Sequence, residues 1–170
     1  MSSLIEIQIL ASKRRRKAAA RNTREAYVRS LLQELAPGHA FDSARPTWNV
    51  NPESGRLLEL DCYAPGLKTA RFPNGLAVEV QGIHHHKYCA FRHKSLADFD
   101  AYQRRDQYTR ANCKKNGVFL IETPNRLHTS DRDLAEWISI KMARHLKDHV
   151  NWICRAGDNN RHATYATRRV

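Results

Sequence analysis

Arg56-Leu-Leu-Glu-Leu-Asp61-Cys-Tyr63 and Leu76-Ala-Val-Glu79-Val-Gln81-Gly82-Ile-His84-His85-His86-Lys87-Tyr88 are the stretches whose reading decides the fold. The first alternates: Leu58 and Leu60 point one way, Glu59 and Asp61 the other. In the second, Val78 and Val80 share one face, and Ala77, Glu79 and Gln81 the opposite face. Both read as strands. Pro65-Gly66 and Pro73-Asn74-Gly75 lie between them and supply turns, so the pair reads as a hairpin that sets Asp61 beside Glu79. Strand interiors disfavour aspartate. Two neighbouring carboxylates repel unless a cation lies between them. The alternatives are a divalent cation site, magnesium being the natural occupant, or an exposed face of solvated acids.

Working outward, residues 23–35 predict a helix with Tyr27, Val28, Leu31, Leu32 and Leu35 in one apolar stripe. Asn22 and Glu25 fit a capping box ahead of it, and Pro37-Gly38 stops it. A loop containing Pro46 and Pro52 follows. Residues 98–115 predict a helix ended by Asn116-Gly117. Val118–Glu122 reads as a buried strand stopped by Pro124. Residues 131–149 predict a last helix, capped by Ser130, with Leu134, Ile138 and Met142 on one face. The segment 151–170 shows no periodicity. The expected order is helix, strand, strand, helix, strand, helix: an α/β sandwich around a small mixed sheet.

Charge points to a partner. The chain has 170 residues and a net charge of +12, with a sequence pI of about 10.0. Residues 1–30 carry a net +6 and residues 151–170 a net +3. Basic ends of this density suggest a polyanion, nucleic acid above all. The organisation expected is a basic arm over 1–21, a folded domain over 22–150 and a basic tail over 151–170. Lys13, Arg14, Arg15, Arg16, Lys17 and Arg21 are the arm's phosphate contacts, joined by Lys87 and Arg105. Cys62, Cys89, Cys113 and Cys154 form no CxxC pair, and no secretory segment precedes them. Reduced thiols inside a cell are therefore expected. No apolar run approaches the roughly 20 residues of a membrane helix.

The histidines sharpen the chemistry. Gly82 lets the chain leave the strand sharply, which puts His84, His85 and His86 at the strand end. A general base or a phosphate donor is useful there; a His-rich surface loop is the alternative. Zinc is a third reading, with Cys89 and His93 nearby but without finger-like spacing. On the next helix Phe99, Tyr102, Asp106 and Cys113 share a stripe. Asp106 there faces something polar in the fold or bonds to Arg105 or Arg110.

Asp61, then Glu79-x-Gln81-Gly82-x-x-His85, then Arg105-Asp106, then Gly117-Val-Phe-Leu-Ile, together resemble the restriction-endonuclease-like fold. The similarity covers about residues 22–124. It is nearest to the branch with the very-short-patch repair endonuclease and related homing-endonuclease and viral nuclease domains. The resemblance implies an active site of a first-helix acid, a strand aspartate, a histidine after the strand and an aspartate on the next helix. Glu25, Asp61, His85 and Asp106 hold those places here. It implies an Mg2+-dependent endodeoxyribonuclease, with Mn2+ as a substitute and Asp61 and Glu79 as metal ligands. The family's Glu-x-Lys is here Glu79-x-Gln81, and glutamine supplies no positive charge. Ile83 stands near the place of a zinc-binding cysteine, so structural zinc is not expected. The competing function is a non-catalytic DNA-binding protein with the same fold. A homo-oligomer is compatible with either.

Overall fold

The computed structural model describes residues 24–124 and 130–166, with side chains described as far as residue 154. Helix α1 covers residues 24–35. Its Val28 and Leu32 are buried, with Tyr27, Leu31 and Leu35 packed beside them, as the stripe requires. Asn22 of the expected cap and the basic arm lie outside the described residues.

The loop expected after α1 contains a short strand, β1 (Asp42–Ala44). It pairs antiparallel with β2 (Leu60–Ala64), opposing Asp42 to Tyr63 and Ala44 to Leu60 with an irregularity between. β2 is shorter than the eight residues expected. Residues 56–59 leave the ladder, because the Leu58 N–H donates to Asn49 O and Leu57 bridges Val50. Glu59 is exposed, and its charge is still felt at Asp61. It accepts from Ser43 Oγ and from Arg45 Nε and Nη2, the latter at 3.0 and 2.6 Å.

β2 and β3 (Leu76–Glu79) form the expected antiparallel pair, with Cys62 opposite Val78 and Ala64 opposite Leu76. Gly75 makes the turn into β3 with φ +93°, and a Cβ there would collide with the Ala64 carbonyl and lie 2.7 Å from Pro65 Cα. Both obstacles are backbone and neither can move aside. Gly75→Ala is expected to cost about 3 kcal/mol, combining a disfavoured φ with a steric clash. Denaturant unfolding checks this, and an unchanged midpoint would refute the clash.

Helix α2 (Leu96–Lys115) begins two residues earlier than expected, because Ser95 Oγ accepts the Asp98 N–H at 3.1 Å. Gly117 (φ +60°) ends its last turn. The chain crosses over to β4 (Phe119–Glu122), parallel to β3, with Ala77 opposite Leu120 and Glu79 opposite Glu122. β4 is half-buried, with Ile121 alone fully enclosed.

The result is a mixed α/β sandwich around a four-stranded sheet of order β1-β2-β3-β4. Helix α1 and the last helix, α3 (Asp131–Ala166), cover one face, where Val28, Leu32, Cys62, Val78, Ile121, Leu134, Ile138 and Met142 make the main core. Helix α2 covers the other, packing Cys113 with Leu60, Ala77 and Val118. Helix α3 spans Asp131–Ala166, far past the expected end at 149 and through most of the tail. Ser130 caps it as expected, exchanging hydrogen bonds with Asp133. His145 and His149 join it to the β2–β3 connection at Leu67 O (2.8 Å) and Lys68 O (2.6 Å). Cys62, Cys89, Cys113 and Cys154 are free thiols. No helix among the described residues is long and apolar enough to cross a membrane.

Candidate active site on the helix α2 face of the sheet

The β2–β3 register, continued one step from Cys62–Val78, sets Asp61 opposite Glu79. The parallel register sets Glu122 on the other side of Glu79. Asp61, Glu79 and Glu122 thus form a row across three neighbouring strands. In the sequence Glu122 shows only as an acid closing the apolar run of β4.

This row is electrostatically loaded. Asp61 Oδ2 accepts the Val80 N–H at 2.8 Å, and Arg29 Nη2 donates to the Asp61 carbonyl at 2.9 Å. Burial still raises the Asp61 carboxyl above its ordinary value, against that N–H and the neighbouring His85 and Arg29 side chains. Glu79 lies well above the usual carboxylate range, first because it is buried and then because Asp61 and Asp106 repel its charge; Glu122 adds to that repulsion. Its Oε1 is closed off from solvent and accepts no hydrogen bond. Gln81, 3% exposed, has its Oε1 in the same condition, while its Nε2 donates to Glu122 Oε1 at 3.3 Å.

The histidines sit in a 3-10 turn, Ile83–His85, that follows Gly82. His85 Nδ1 lies 2.8 Å from Asp106 Oδ2, with both side chains largely enclosed. The partner of Asp106 is therefore His85, and neither Arg105 nor Arg110. Arg105 lies over the Tyr102 ring at 4.8 Å and donates to Ala101 O. Arg110 takes Glu122, its Nε lying 2.9 and 2.8 Å from the two carboxylate oxygens. His84 packs on the His85 and Tyr102 rings. His86 points elsewhere, into an open cleft of about 330 Å³ lined also by Gln81, Arg110, Glu122, Thr123 and Pro124.

The structure thus brings Asp61, Glu79, Gln81, His85 and Asp106 into one neighbourhood. Glu25 lies on helix α1, and its charge is felt at the Cys62 thiol. Lys87 is exposed just past the histidines. Lys13–Lys17 and Arg21 lie outside the described residues. Burial pushes the Cys62 and Cys113 thiols up to about 12, which removes both as nucleophiles near neutrality. The Cys89 N–H donates to His93 Nδ1 at 3.0 Å, a local turn contact. Among the described residues no three carboxylate, thiolate or imidazole side chains gather as a metal cage. Magnesium needs no such cage, since one or two carboxylates with water and phosphate oxygens suffice. The all-oxygen donors Asp61, Glu79 and the unsatisfied Oε1 atoms fit that requirement.

The raised Glu79 carboxyl makes a prediction about stability. Below about pH 4.5 the folded and unfolded chains both hold the proton, and the group contributes nothing. As pH rises, the unfolded chain ionises freely while the folded one resists. Stability therefore falls as pH climbs toward the folded value, and the loss persists above it. Glu79→Gln is expected to raise Tm in EDTA, by about 2–4 °C for each kcal/mol recovered. The gain should be larger at pH 8 than at pH 5. Thermal melts of both proteins at the two pH values check this; a variant less stable than the parent at pH 8 would contradict it.

Fold and site together define a mixed α/β protein with a row of carboxylates on its sheet and a histidine–aspartate pair over one end of that row. No family model matches the chain, and no solved structure matches it. Sequence comparison finds viral proteins. The chain is 43% identical over 101 residues to "Uncharacterized protein 094L" of Frog virus 3 (isolate Goorha), covering 59% of this chain and 60% of that protein. It is 37% identical over 91 residues to "Uncharacterized protein 033L" of Invertebrate iridescent virus 3, covering 54% and 43%. It is 39% identical over 89 residues to "Uncharacterized protein 307L" of Invertebrate iridescent virus 6, covering 49% and 42%. The chain thus spans less than two thirds of each of these relatives.

Proposed function

We propose that this protein is a metal-dependent endodeoxyribonuclease of restriction-endonuclease-like fold, hydrolysing phosphodiester bonds in DNA. The observation that carries the reading is the register that opposes Asp61 to Glu79 while His85 bonds to Asp106 beside them. The order helix, three strands, helix, strand, with the acids on β2 and β3 and the pair from the turn and α2, supports it. The net charge of +12 supports a polyanionic substrate.

In this reading Asp61 and Glu79 would hold Mg2+, or Mn2+ in its place. Bound there, the metal would acidify a water and stabilise charge building on phosphorus. Asp106 accepts the Nδ1–H of His85, fixing the ring and leaving Nε2 to take or give a proton. Gln81 orients groups at the metal without adding charge. The basic arm and Lys87 bind phosphates irrespective of sequence.

The test is incubation with supercoiled, linear, single-stranded and four-way-junction DNA, each with Mg2+, Mn2+ or EDTA. Cleavage in the metal arms and none in EDTA is expected. Tight binding without cleavage in every arm would overturn the catalytic reading and leave a DNA-binding protein of the same fold.

A further inference from the structure

The cleft beside the histidine–aspartate pair is lined by a partly exposed cation, Arg110. Arg110 reaches it from α2, one helical turn after Asp106 and on the same side of that helix. Its Nε takes both oxygens of Glu122, at 2.9 and 2.8 Å. No hydrogen bond occupies either terminal nitrogen among the described residues, and the side chain is 46% exposed. Glu122 is itself held by Gln81 Nε2 at 3.3 Å. Carboxylate and amide therefore fix the guanidinium plane at its inner edge and leave four N–H donors toward an opening of about 330 Å³. A fork of this kind matches two oxygens of a tetrahedral anion. A cluster of Asp61, Glu79, Asp106 and Glu122 repels anions unless a fixed cation breaks its field, and Arg110 lies close to Glu122 and Asp106 of that cluster.

We propose that Arg110, anchored by Glu122, is a phosphate-binding residue, seating a nucleic-acid phosphate in the cleft formed with Gln81, His86 and Thr123. The proposal rests on the nuclease reading for the identity of the strand and on the Arg110–Glu122 geometry for the site. No bond forms or breaks in this role. Its effect is to hold the backbone in register with His85.

The test measures binding of the full chain to a labelled duplex in EDTA across a salt series, with Arg110→Ala and Arg110→Lys. Losing one phosphate contact lowers the salt slope by about 0.9. Arg110→Ala should show that change together with about 10- to 100-fold weaker binding, the range of one or two charge-assisted hydrogen bonds. Arg110→Lys keeps the charge and should keep the slope while losing part of the affinity. Circular dichroism confirms that the variants fold. Inorganic phosphate added as competitor separates the sources. Displacement of duplex at millimolar phosphate, in the parent and not in Arg110→Ala, would place a duplex phosphate at Arg110, whereas phosphate that binds the parent through Arg110 without displacing duplex would mean a free-phosphate site and overturn the strand assignment. A folded Arg110→Ala with parental affinity and slope would overturn the subsite altogether. Cleavage with Mg2+ is scored separately. An uncleaved duplex with the expected slope change removes the nuclease reading and keeps the subsite, whereas cleavage with an unchanged slope does the reverse.

Discussion

Asp61→Asn is expected to lower DNA cleavage by about 10³-fold or more while leaving DNA binding at least as tight. A single well-placed electrostatic contact to developing charge is typically worth about 10²–10³ in rate, and Asp61 would act through the metal as well. Asparagine keeps the shape of the side chain and its oxygen for the Val80 N–H, so β2 and β3 stay in register. It removes a charge that burial and the neighbouring Glu59 already make unfavourable. The variant should therefore fold at least as stably as the parent. Loss of negative charge facing phosphate should tighten binding slightly. Plasmid nicking measured together with duplex binding checks both halves. Parental cleavage by the variant would remove Asp61 from the site; joint loss of binding and cleavage would point to a folding defect, which the melting curve would reveal.

His85→Ala is expected to slow the chemical step by about 10²- to 10⁴-fold, the usual contribution of one general acid–base group. DNA affinity should change little, since His85 turns toward Asp106 at 2.8 Å and is mostly enclosed. Asp106→Asn should cost less, about 10- to 100-fold, because an asparagine carbonyl still accepts the Nδ1–H and holds the ring. His84→Ala and His86→Ala should cost least: His84 packs on neighbouring rings, and His86 opens into the adjoining cleft. Single-turnover cleavage separates chemistry from binding and release. Added imidazole should restore part of the His85→Ala rate, an effect that no purely structural loss would produce. Equal rates for all three alanine variants and the parent would leave the reaction to metal-bound water alone.

The elements were largely legible in the sequence because each is written in local periodicity. The stripe of Val28 and Leu32, the alternation around Asp61 and Glu79, and the Leu134-Ile138-Met142 face all appear where their spacing puts them. β1 escaped because an exposed three-residue edge strand is too short to show a period of two. The extension of α3 to residue 166 escaped because its far half carries no regular apolar stripe, and helix needs only its own backbone hydrogen bonds to continue.

The site divides along the same line. Asp61 beside Glu79 followed from one hairpin, whose turn residues fix the register locally. Glu122 beside Glu79 depends on a parallel pairing reached through a helix crossover, and no local spacing encodes that register. The choice of His85 among three consecutive histidines depends on where α2 lies, because Asp106 of that helix meets one of the three rings. For the same reason Arg110, which the sequence offered as an alternative partner for Asp106, is set against Glu122 instead. Local pattern thus supplied the residue types and the faces they occupy. Long-range pairing, fixed by the core shared among α1, the sheet and α3, selected the contacts among them.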